Sequence, residues 1–333
     1  MKHFPIFTLL VLLLVTSACG SSESEKVIFM AGFKAQANLP FAAVYVAQEK
    51  GYFDEQGLDV EILHSGGGGE NLTMLLANKV DFTTADANTV LKHRASQDIP
   101  IVAFALFGQR GQQAFVSLAE SGINAPADWE GKRFGYKISI PPDYLAIVDV
   151  SGVDRTKIEE IQVGFDPRIL IEGKVDVLAV FKSNEPDTIR ALGHDVNVFE
   201  AADLGVPTLG LTYVGTEEII SKKSETTERF LRSTLRAVEF IRTNREESLD
   251  IIMKYADKEN RNHMKFMLET ELSDAITSQT LEKGIGWMTT DQWDSLQQHL
   301  LKFGALDGEV SISDAINTNF LEEIYNEGKV RWP

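Results

Sequence analysis

The sequence lacks most of the residues on which enzyme active sites depend. Its 333 residues include one cysteine, Cys19, so no internal disulfide can form. The six histidines show no metal-ligand spacing and no His-Glu-x-x-His motif, and no Gly-x-Ser-x-Gly sequence is present. These absences predict a protein that is not an enzyme, that holds no metal or cofactor, and that depends on its hydrophobic core for stability.

Acidic residues outnumber basic residues. The chain has 32 Lys and Arg against 49 Asp and Glu, for a formal net charge of −17. Such a surface repels nucleic acid, and it also repels an anionic membrane. Hydrophobic residues make up 44% and charged residues 24% of the chain, which is typical of a well-packed globular protein rather than a disordered one.

Long apolar runs are absent except at the N-terminus. Residues 4–15 follow Lys2 and His3 and are too few to span a bilayer as a helix, so residues 1–18 are predicted to be a secretory signal peptide. The segment resembles a bacterial lipoprotein signal, which is cleaved before a cysteine that then carries the lipid. The resemblance implies lipidation of Cys19, a flexible tether at residues 19–26, and a location on the extracytoplasmic face of the cell membrane.

Short β-rich runs alternate with helical patterns from Val27 onward, which predicts an α/β fold. Residues 78–81 (NKVD) and 173–176 (GKVD) form a short internal sequence repeat, which suggests two similar lobes. We expect lobe 1 to comprise residues 27–109 plus 209–333 and lobe 2 to comprise residues 110–208. The chain would cross between them near residues 109–111 and 205–208, and the helical C-terminal tail would pack on lobe 1.

Residues 46–60 (VAQEKGYFDEQGLDV) resemble a signature of bacterial solute-binding proteins for ABC importers. The branch in question binds thiamine pyrimidine precursors, sulfonates and related molecules, and residues 67–71, 80–82 and Asp86 also fit it. Residues 32–41 look closer to its riboflavin-binding members. The resemblance implies a two-lobed fold of the periplasmic-binding-protein type (type II), with two crossovers and a ligand cleft at the hinge. It also implies an ABC permease and ATPase as partners, and we expect a monomer.

Ligands of open α/β sheets lie beyond the carboxyl ends of the strands, and polar and aromatic residues cluster at these positions. Aromatic faces among amides suit a planar heteroaromatic ring. The candidate ligand-binding residues are Phe33, Asn38, Phe41, Glu70, Asp86, Phe107, Gln109, Gln112, Tyr136, Tyr144, Asn184, Glu185 and Tyr213.

The glycine run at residues 66–69 precedes a helix and could hold an anion, but Glu70 would repel one. The sequence therefore favours a neutral heteroaromatic vitamin or precursor, with riboflavin first. A thiamine pyrimidine precursor (hydroxymethyl- or formylamino-pyrimidine) is the alternative, because it could use Glu70 and Asp86 as acceptors. A sulfonate ligand and a pyrimidine-synthase-like enzyme are less favoured.

Overall fold

The computed structural model describes residues 24–97 and 99–333. The predicted signal peptide, Cys19 and residues 19–23 of the predicted tether lie outside the described residues. Within them, the first strand begins at Glu25, where the amide donates to the Gly57 carbonyl over 2.9 Å and the carboxylate pairs with Arg229. The prediction of a flexible tether is therefore wrong for residues 25 and 26.

The first of two five-stranded sheets has the order β2-β1-β3-β10-β4, and β10 runs antiparallel to both neighbours. Its strands are β1 (Glu25–Ala31), β2 (Leu58–His64), β3 (Phe82–Asp86), β4 (Ile101–Leu106) and β10 (Leu211–Thr216). Its helices are α1 (Leu39–Glu49), α2 (Tyr52–Glu55), α3 (Glu70–Leu76) and α4 (Ala87–Gln97). All six residues of β4 are buried, as expected for an apolar strand inside an α/β sheet.

The second sheet repeats this plan in the order β7-β6-β8-β5-β9, and here β5 is antiparallel to both neighbours. Its strands are β5 (Gln113–Leu118), β6 (Arg133–Tyr136), β7 (Glu159–Gln162), β8 (Val177–Phe181) and β9 (Val196–Phe199). Its helices are α5 (Pro142–Val150), α6 (Arg168–Ile171) and α7 (Glu185–Ala191).

The short sequence repeat, residues 78–81 and 173–176, lies at equivalent positions in the two sheets. The Asp81 carboxylate accepts a hydrogen bond from a backbone amide of β1 over 2.8 Å, and the Asp176 carboxylate accepts one from β6 over 2.9 Å. In each lobe, this aspartate precedes one parallel strand, β3 or β8, and bonds to the neighbouring parallel strand, β1 or β6. The repeated motif therefore has the same structural role twice.

Two chain segments connect the sheets, residues 107–112 after β4 and residues 200–210 after β9. They run side by side: the Gly210 amide donates to the Gly108 carbonyl over 2.8 Å, and the Gly111 amide donates to Thr208 Oγ1 over 3.0 Å. Each segment leads directly into the antiparallel strand of the sheet that follows it, which is β5 after the first segment and β10 after the second.

The remaining chain is mostly helical. Its elements are α8 (Glu217–Lys222), α9 (Ser224–Thr243), α10 (Arg245–Tyr255), α11 (Arg261–Ala275), α12 (Ser278–Lys283), α13 (Thr290–Lys302), α14 (Ile312–Ala315), α15 (Asn319–Ile324), β11 (Tyr325–Asn326) and β12 (Lys329–Val330). The apolar stripe of α9 is buried in the core of the first sheet, where Phe230 stacks on Phe29 and Phe53. The tail thus packs on lobe 1, as predicted.

The tail also reaches the second lobe, which the sequence did not indicate. Lys302 of α13 pairs with Asp149 of α5 over 2.6 Å, and the neighbouring Phe303 packs against the core of the second sheet. On α11, His263 Nδ1 lies 2.7 Å from Asp187 Oδ2 of α7. The C-terminal helices therefore span both lobes.

Candidate ligand-binding site

A cavity of about 340 Å³ lies where the carboxyl ends of the two sheets face each other. Lobe 1 contributes the end of β3 and the start of α4, lobe 2 contributes the loops after β6 and β7 and the end of β8, and α13 closes one side. The lining residues are Asp86, Asn88, Thr89, Lys92, Gly111, Gln112, Gln113, Lys137, Ile138, Ser139, Pro141, Pro142, Asp143, Phe165, Ala179, Val180, Phe181, Thr208, Leu209, Leu296 and Leu300.

One wall of the cavity is apolar although it is open to solvent. Ile138, Phe165 and Phe181 are 77%, 63% and 46% exposed, and all three line the cavity. Large exposed apolar side chains that gather in a concave site are typical of ligand-binding surfaces. The two rings supply faces on which a planar molecule can stack.

Lys137 stands beside this wall without contributing a free charge. Its ammonium lies 5.6 Å from the centre of the Phe165 ring and 5.2 Å from that of Phe181. It is also paired with the buried Glu185, whose other carboxylate oxygen accepts the Phe181 amide over 2.8 Å. Glu185 therefore neutralises Lys137 and holds Phe181 in place.

Two carboxylates line the same cavity, as does Lys92. Asp86 ends β3, and Asp143 lies in the first turn of α5. Burial, together with the nearby Asp143 carboxylate, raises the pKa of Asp86 to about 6. Two acidic groups that face one cavity favour a ligand that brings N–H or O–H donors.

Gln112 also lines the cavity, although most of its side chain is buried. Its Nε2 donates to Asp274 Oδ2 of α11 over 3.0 Å, whereas its Oε1 is buried and has no hydrogen-bond partner in the part of the chain that the structure describes. Lys182 in turn donates to Asp274 Oδ1 over 2.8 Å. Burial raises the pKa of Asp274 to about 6, and the Lys182 ammonium opposes this rise.

Glu271, one turn before Asp274, lies behind the cavity. Its carboxylate accepts hydrogen bonds from the Leu39 amide over 2.7 Å and from the Asn38 side chain. Burial raises the pKa of Glu271 to about 8. Asn38, a predicted ligand residue, is thereby buried and engaged with α11, and it does not line the cavity.

Four predicted aromatic residues belong to the lobe cores instead of the cavity. Phe41 and Phe107 are buried in lobe 1, and Tyr213 donates from its hydroxyl to the Pro40 carbonyl over 2.6 Å. Tyr144 stacks on Phe134 at 3.9 Å inside lobe 2. The prediction is wrong for these residues, because each side chain points from its strand end or helix into its own lobe.

Three further predicted residues form contacts outside the cavity. Gln109 donates to the Leu106 and Trp287 carbonyls, and Tyr136 stacks against Phe134. Asn184 Oδ1 lies 2.9 Å from His263 Nε2. Glu185 acts through Lys137, as described above. Of the thirteen predicted residues, Asp86 and Gln112 line the cavity directly.

Phe33 and Glu70 meet at the glycine run rather than at the cavity. The Phe33 ring packs over Gly67, and one Glu70 carboxylate oxygen accepts the Gly66 amide over 2.8 Å and the Ser65 hydroxyl over 3.3 Å. The chain's own carboxylate thus occupies donors that an anionic ligand would need. This agrees with the expectation that Glu70 disfavours an anion there.

Ile138, Asp143 and Phe181 line the cavity but are not among the candidate residues, and neither is Asp274, which bonds to Gln112. Phe181 ends strand β8, so the strand-end rule would have selected it, but from sequence alone an apolar residue after a buried run cannot be distinguished from a core residue. Asp274 carried no signal, because it lies in the helical tail. No group of three or more His, Cys, Asp or Glu that could hold a metal ion occurs within residues 24–97 and 99–333.

A second cavity, of about 570 Å³, lies at the far end of lobe 1 from the cleft. It is lined by residues of β4, α8, α14 and α15, among them Glu217, Ser221, Asp314 and Asn317. None of the predicted site residues reaches it, and it contacts one lobe only. The smaller cavity at the lobe junction is therefore the candidate site.

Two similar α/β lobes, joined by two crossing segments around a cleft, define the two-lobed periplasmic-binding-protein-like fold. Comparison with solved structures supports this: the periplasmic aliphatic sulphonate binding protein SsuA from Escherichia coli superposes with a TM-score of 0.67 over 90% of this chain and 99% of that one, at 13% identity. The predicted fold class is confirmed. No helix among the described residues has the length and apolar character needed to cross a bilayer.

The chain belongs to the NMT1/THI5-like family, whose model matches residues 38–248. It is 26% identical to the formylaminopyrimidine-binding protein of Halalkalibacterium halodurans over 96% of this chain and 99% of that protein. It is 24% identical to the riboflavin-binding protein RibY of Chloroflexus aurantiacus over 85% and 83% of the two chains. The family resemblance carried by residues 46–60 is confirmed.

Proposed function

We propose that this protein is the extracytoplasmic solute-binding component of an ABC importer and that its ligand is a small amino-substituted pyrimidine, a thiamine precursor. The observation that carries the proposal is the pair of carboxylates that line the cavity, those of Asp86 and Asp143. An aminopyrimidine ring brings N–H donors to such a site. The similarity to the formylaminopyrimidine-binding protein supports the same ligand class.

The size and shape of the cavity also support a small ring. Its volume of about 340 Å³ is at the lower end of the range of roughly 300–1,000 Å³ for small-molecule sites. One pyrimidine stacked against Phe165 or Phe181 would place its edge toward the acidic side. Ring stacking supplies affinity, and the acceptors select molecules with complementary donors.

Riboflavin, which the sequence favoured, is the second candidate. The paired aromatic faces and the similarity to RibY favour it, whereas the isoalloxazine ring and its ribityl chain require a wider cleft. A sulfonate is disfavoured, because Glu70 occupies the glycine-run donors and Glu185 neutralises Lys137.

In the proposed mechanism, ligand binds between separated lobes and shifts the population toward the closed form. Residues 107–112 and 200–210 act as the hinge. The closed lobes then dock on a permease, which is driven by an ATPase and receives the solute as the lobes separate. The protein acts as a monomer and returns its ligand chemically unchanged, so it is a binding protein rather than an enzyme.

Isothermal titration calorimetry of the purified protein tests the ligand. We expect saturable binding of formylaminopyrimidine or 4-amino-5-hydroxymethyl-2-methylpyrimidine, a loss of about tenfold or more in affinity for Asp86→Asn, and no loss for the exposed control Asp59→Asn. Quenching of flavin fluorescence with no pyrimidine binding would establish riboflavin instead. Binding of an alkanesulfonate alone would overturn both candidates.

Membrane attachment through Cys19 is part of the proposal and is tested separately. The full chain expressed in a bacterial host should fractionate with membranes, and Cys19→Ser should release it from them. The variant Ser21→Ala is the control, since it changes a nearby small residue but leaves the thiol. Equal membrane association of wild type and Cys19→Ser would contradict lipid anchoring.

A further inference from the structure

We propose that Lys182 and Asp274 form a latch between the lobes, in which the Lys182 ammonium allows the Asp274 carboxylate to be buried against lobe 2 when the cleft closes. The inference rests on the lobe motion of the proposed function and not on the identity of the ligand. Neither residue lines the cavity, so the latch acts on the balance between the open and closed forms and makes no contact with the ligand.

The two residues belong to different lobes. Asp274 is fixed to lobe 1, because its helix α11 is anchored there: the Glu271 carboxylate accepts the Leu39 amide over 2.7 Å. Five apolar side chains of α11 are buried in the lobe 1 core, those of Met264, Met267, Leu268, Leu272 and Ala275. Lys182 is fixed to lobe 2, because its amide donates to the Gln112 carbonyl over 3.0 Å and extends the pairing of β8 with β5 by one residue.

The latch connects to both hinge segments. Lys182 Nζ donates to Asp274 Oδ1 over 2.8 Å, and the two side chains are 4% and 8% exposed. Lys182 also donates to Glu200 Oε2 over 2.8 Å, and Glu200 pairs with Arg110 over 3.1 Å. Glu200 directly follows β9 of lobe 2, so Lys182 can keep this partner when the lobes separate. Opening breaks the bonds that Asp274 receives from Lys182 and Gln112.

Charge decides the effect of removing either partner. Without the Lys182 ammonium, closure would bury the Asp274 carboxylate beside Glu200, with the neutral Gln112 amide as a donor at 3.0 Å. A buried charge that has lost its partner is costly, whereas water hydrates the same carboxylate in the open form. Loss of Lys182 therefore favours the open form, and neutralising residue 274 as well removes the cost.

Spin labels report the lobe separation without any ligand. Lys79→Cys and Lys174→Cys place one label on each lobe at exposed, equivalent positions of the sequence repeat, in a chain that also carries Cys19→Ser. Double electron–electron resonance then measures the distance between the labels. We expect the otherwise unchanged protein to populate a shorter, closed distance.

Substitutions at the latch should change this population in a set order. Lys182→Met is expected to lower the ratio of closed to open protein by about tenfold or more, and Lys182→Met/Asp274→Asn to recover it. Asp274→Asn alone should change the ratio by less than about threefold, because Lys182 keeps Glu200 as a partner. Lys157→Met is the matched control, since Lys157 pairs with Glu130 over 2.7 Å within lobe 2.

Lys182→Gln keeps the inference testable if the methionine variant does not fold. It retains hydrogen-bond donors and removes the charge, and the same loss and the same recovery by Asp274→Asn are expected. An unchanged ratio in the folded Lys182 variant, no recovery in the double variant, or the longer distance alone in the protein with an intact latch would overturn the inference. The ligand is tested separately by calorimetry: the predicted loss and recovery without any pyrimidine binding would refute the proposed ligand and leave the latch standing.

Discussion

The amide nitrogen of Gly210 donates a hydrogen bond to the carbonyl oxygen of Gly108 over 2.8 Å. This bond joins the two segments by which the chain passes from one lobe to the other. The approach is close enough that a Cβ atom on Gly108 would lie 2.7 Å from the Gly210 Cα, and one on Gly210 would lie 2.8 Å from the Arg110 carbonyl oxygen. Both glycines are required by backbone contact rather than by an unusual φ angle.

Substitution of Gly108 by alanine should therefore separate the two hinge segments. We expect Gly108→Ala to lower the free energy of unfolding by about 1–3 kcal/mol, because the added methyl group meets backbone atoms that cannot rotate away. Urea denaturation provides the measurement. Gly308→Ala is the control, since a Cβ there has open space within 4 Å. Equal stability of the two variants would contradict the close approach.

Removal of an aromatic side chain that lines the cavity should weaken ligand binding without affecting the fold. Phe165→Ala and Phe181→Ala are each expected to reduce affinity for the bound ring by about tenfold, because stacking area is lost from the cavity. Phe33→Ala is matched in exposure, at 41%, and does not line the cavity. Calorimetry that finds all three variants alike would argue against ring stacking at the lobe 2 wall.

Glu271 should make stability depend on pH. Its pKa is raised to about 8 by burial, so the folded state binds this proton more tightly than the unfolded chain, where the value is near 4.5. The associated stability is complete below about pH 4.5 and is lost as pH rises through about 8. Glu271→Gln should flatten the dependence by an amount on the order of a few kcal/mol across this window.

Urea denaturation at a series of pH values measures this effect. Glu269→Gln on the same helix is the control, because the Glu269 side chain is 46% exposed. A Glu271→Gln profile parallel to that of the wild type between pH 5 and 8 would show that the carboxyl group is not protonated preferentially in the folded protein.

His263 should stabilise the closed arrangement of the lobes. Its two ring nitrogens lie 2.7 Å from Asp187 Oδ2 and 2.9 Å from Asn184 Oδ1, so the tail helix α11 is bonded to α7 of lobe 2. His263→Ala removes these bonds without touching the cavity. We expect ligand affinity to fall by about three- to tenfold, because a smaller fraction of the protein is then competent to hold the ligand.

Small-angle scattering with saturating ligand should accompany that titration and should show a larger radius of gyration for His263→Ala than for the wild type. His194→Ala is the control, since His194 lies near Glu120 within lobe 2 and bridges nothing between lobes. Unchanged affinity and radius in His263→Ala would mean that the tail contact does not contribute to closure.

Local patterns were sufficient to predict the α/β class, the two crossings and the equivalence of residues 78–81 and 173–176. Strand and helix signals depend on residue spacing along the chain, and glycine and aspartate positions mark the turns. The strand-end rule also selected Asp86 and Gln112, which line the cavity. It could not separate Phe165, which faces the cavity, from Tyr144, which stacks in the core, because both are aromatic residues at the ends of elements in the same lobe.

The sequence by itself determined the family, through residues 46–60, and the acidic character of the chain. Tertiary structure alone decided which partners the buried side chains at the lobe junction have. Gln112 and Asp274 are 162 positions apart, and only the return of the helical tail across both lobes brings them within 3.0 Å. The direction of a buried amide depends on partners that are distant along the chain, so no pattern near Gln112 could have revealed it.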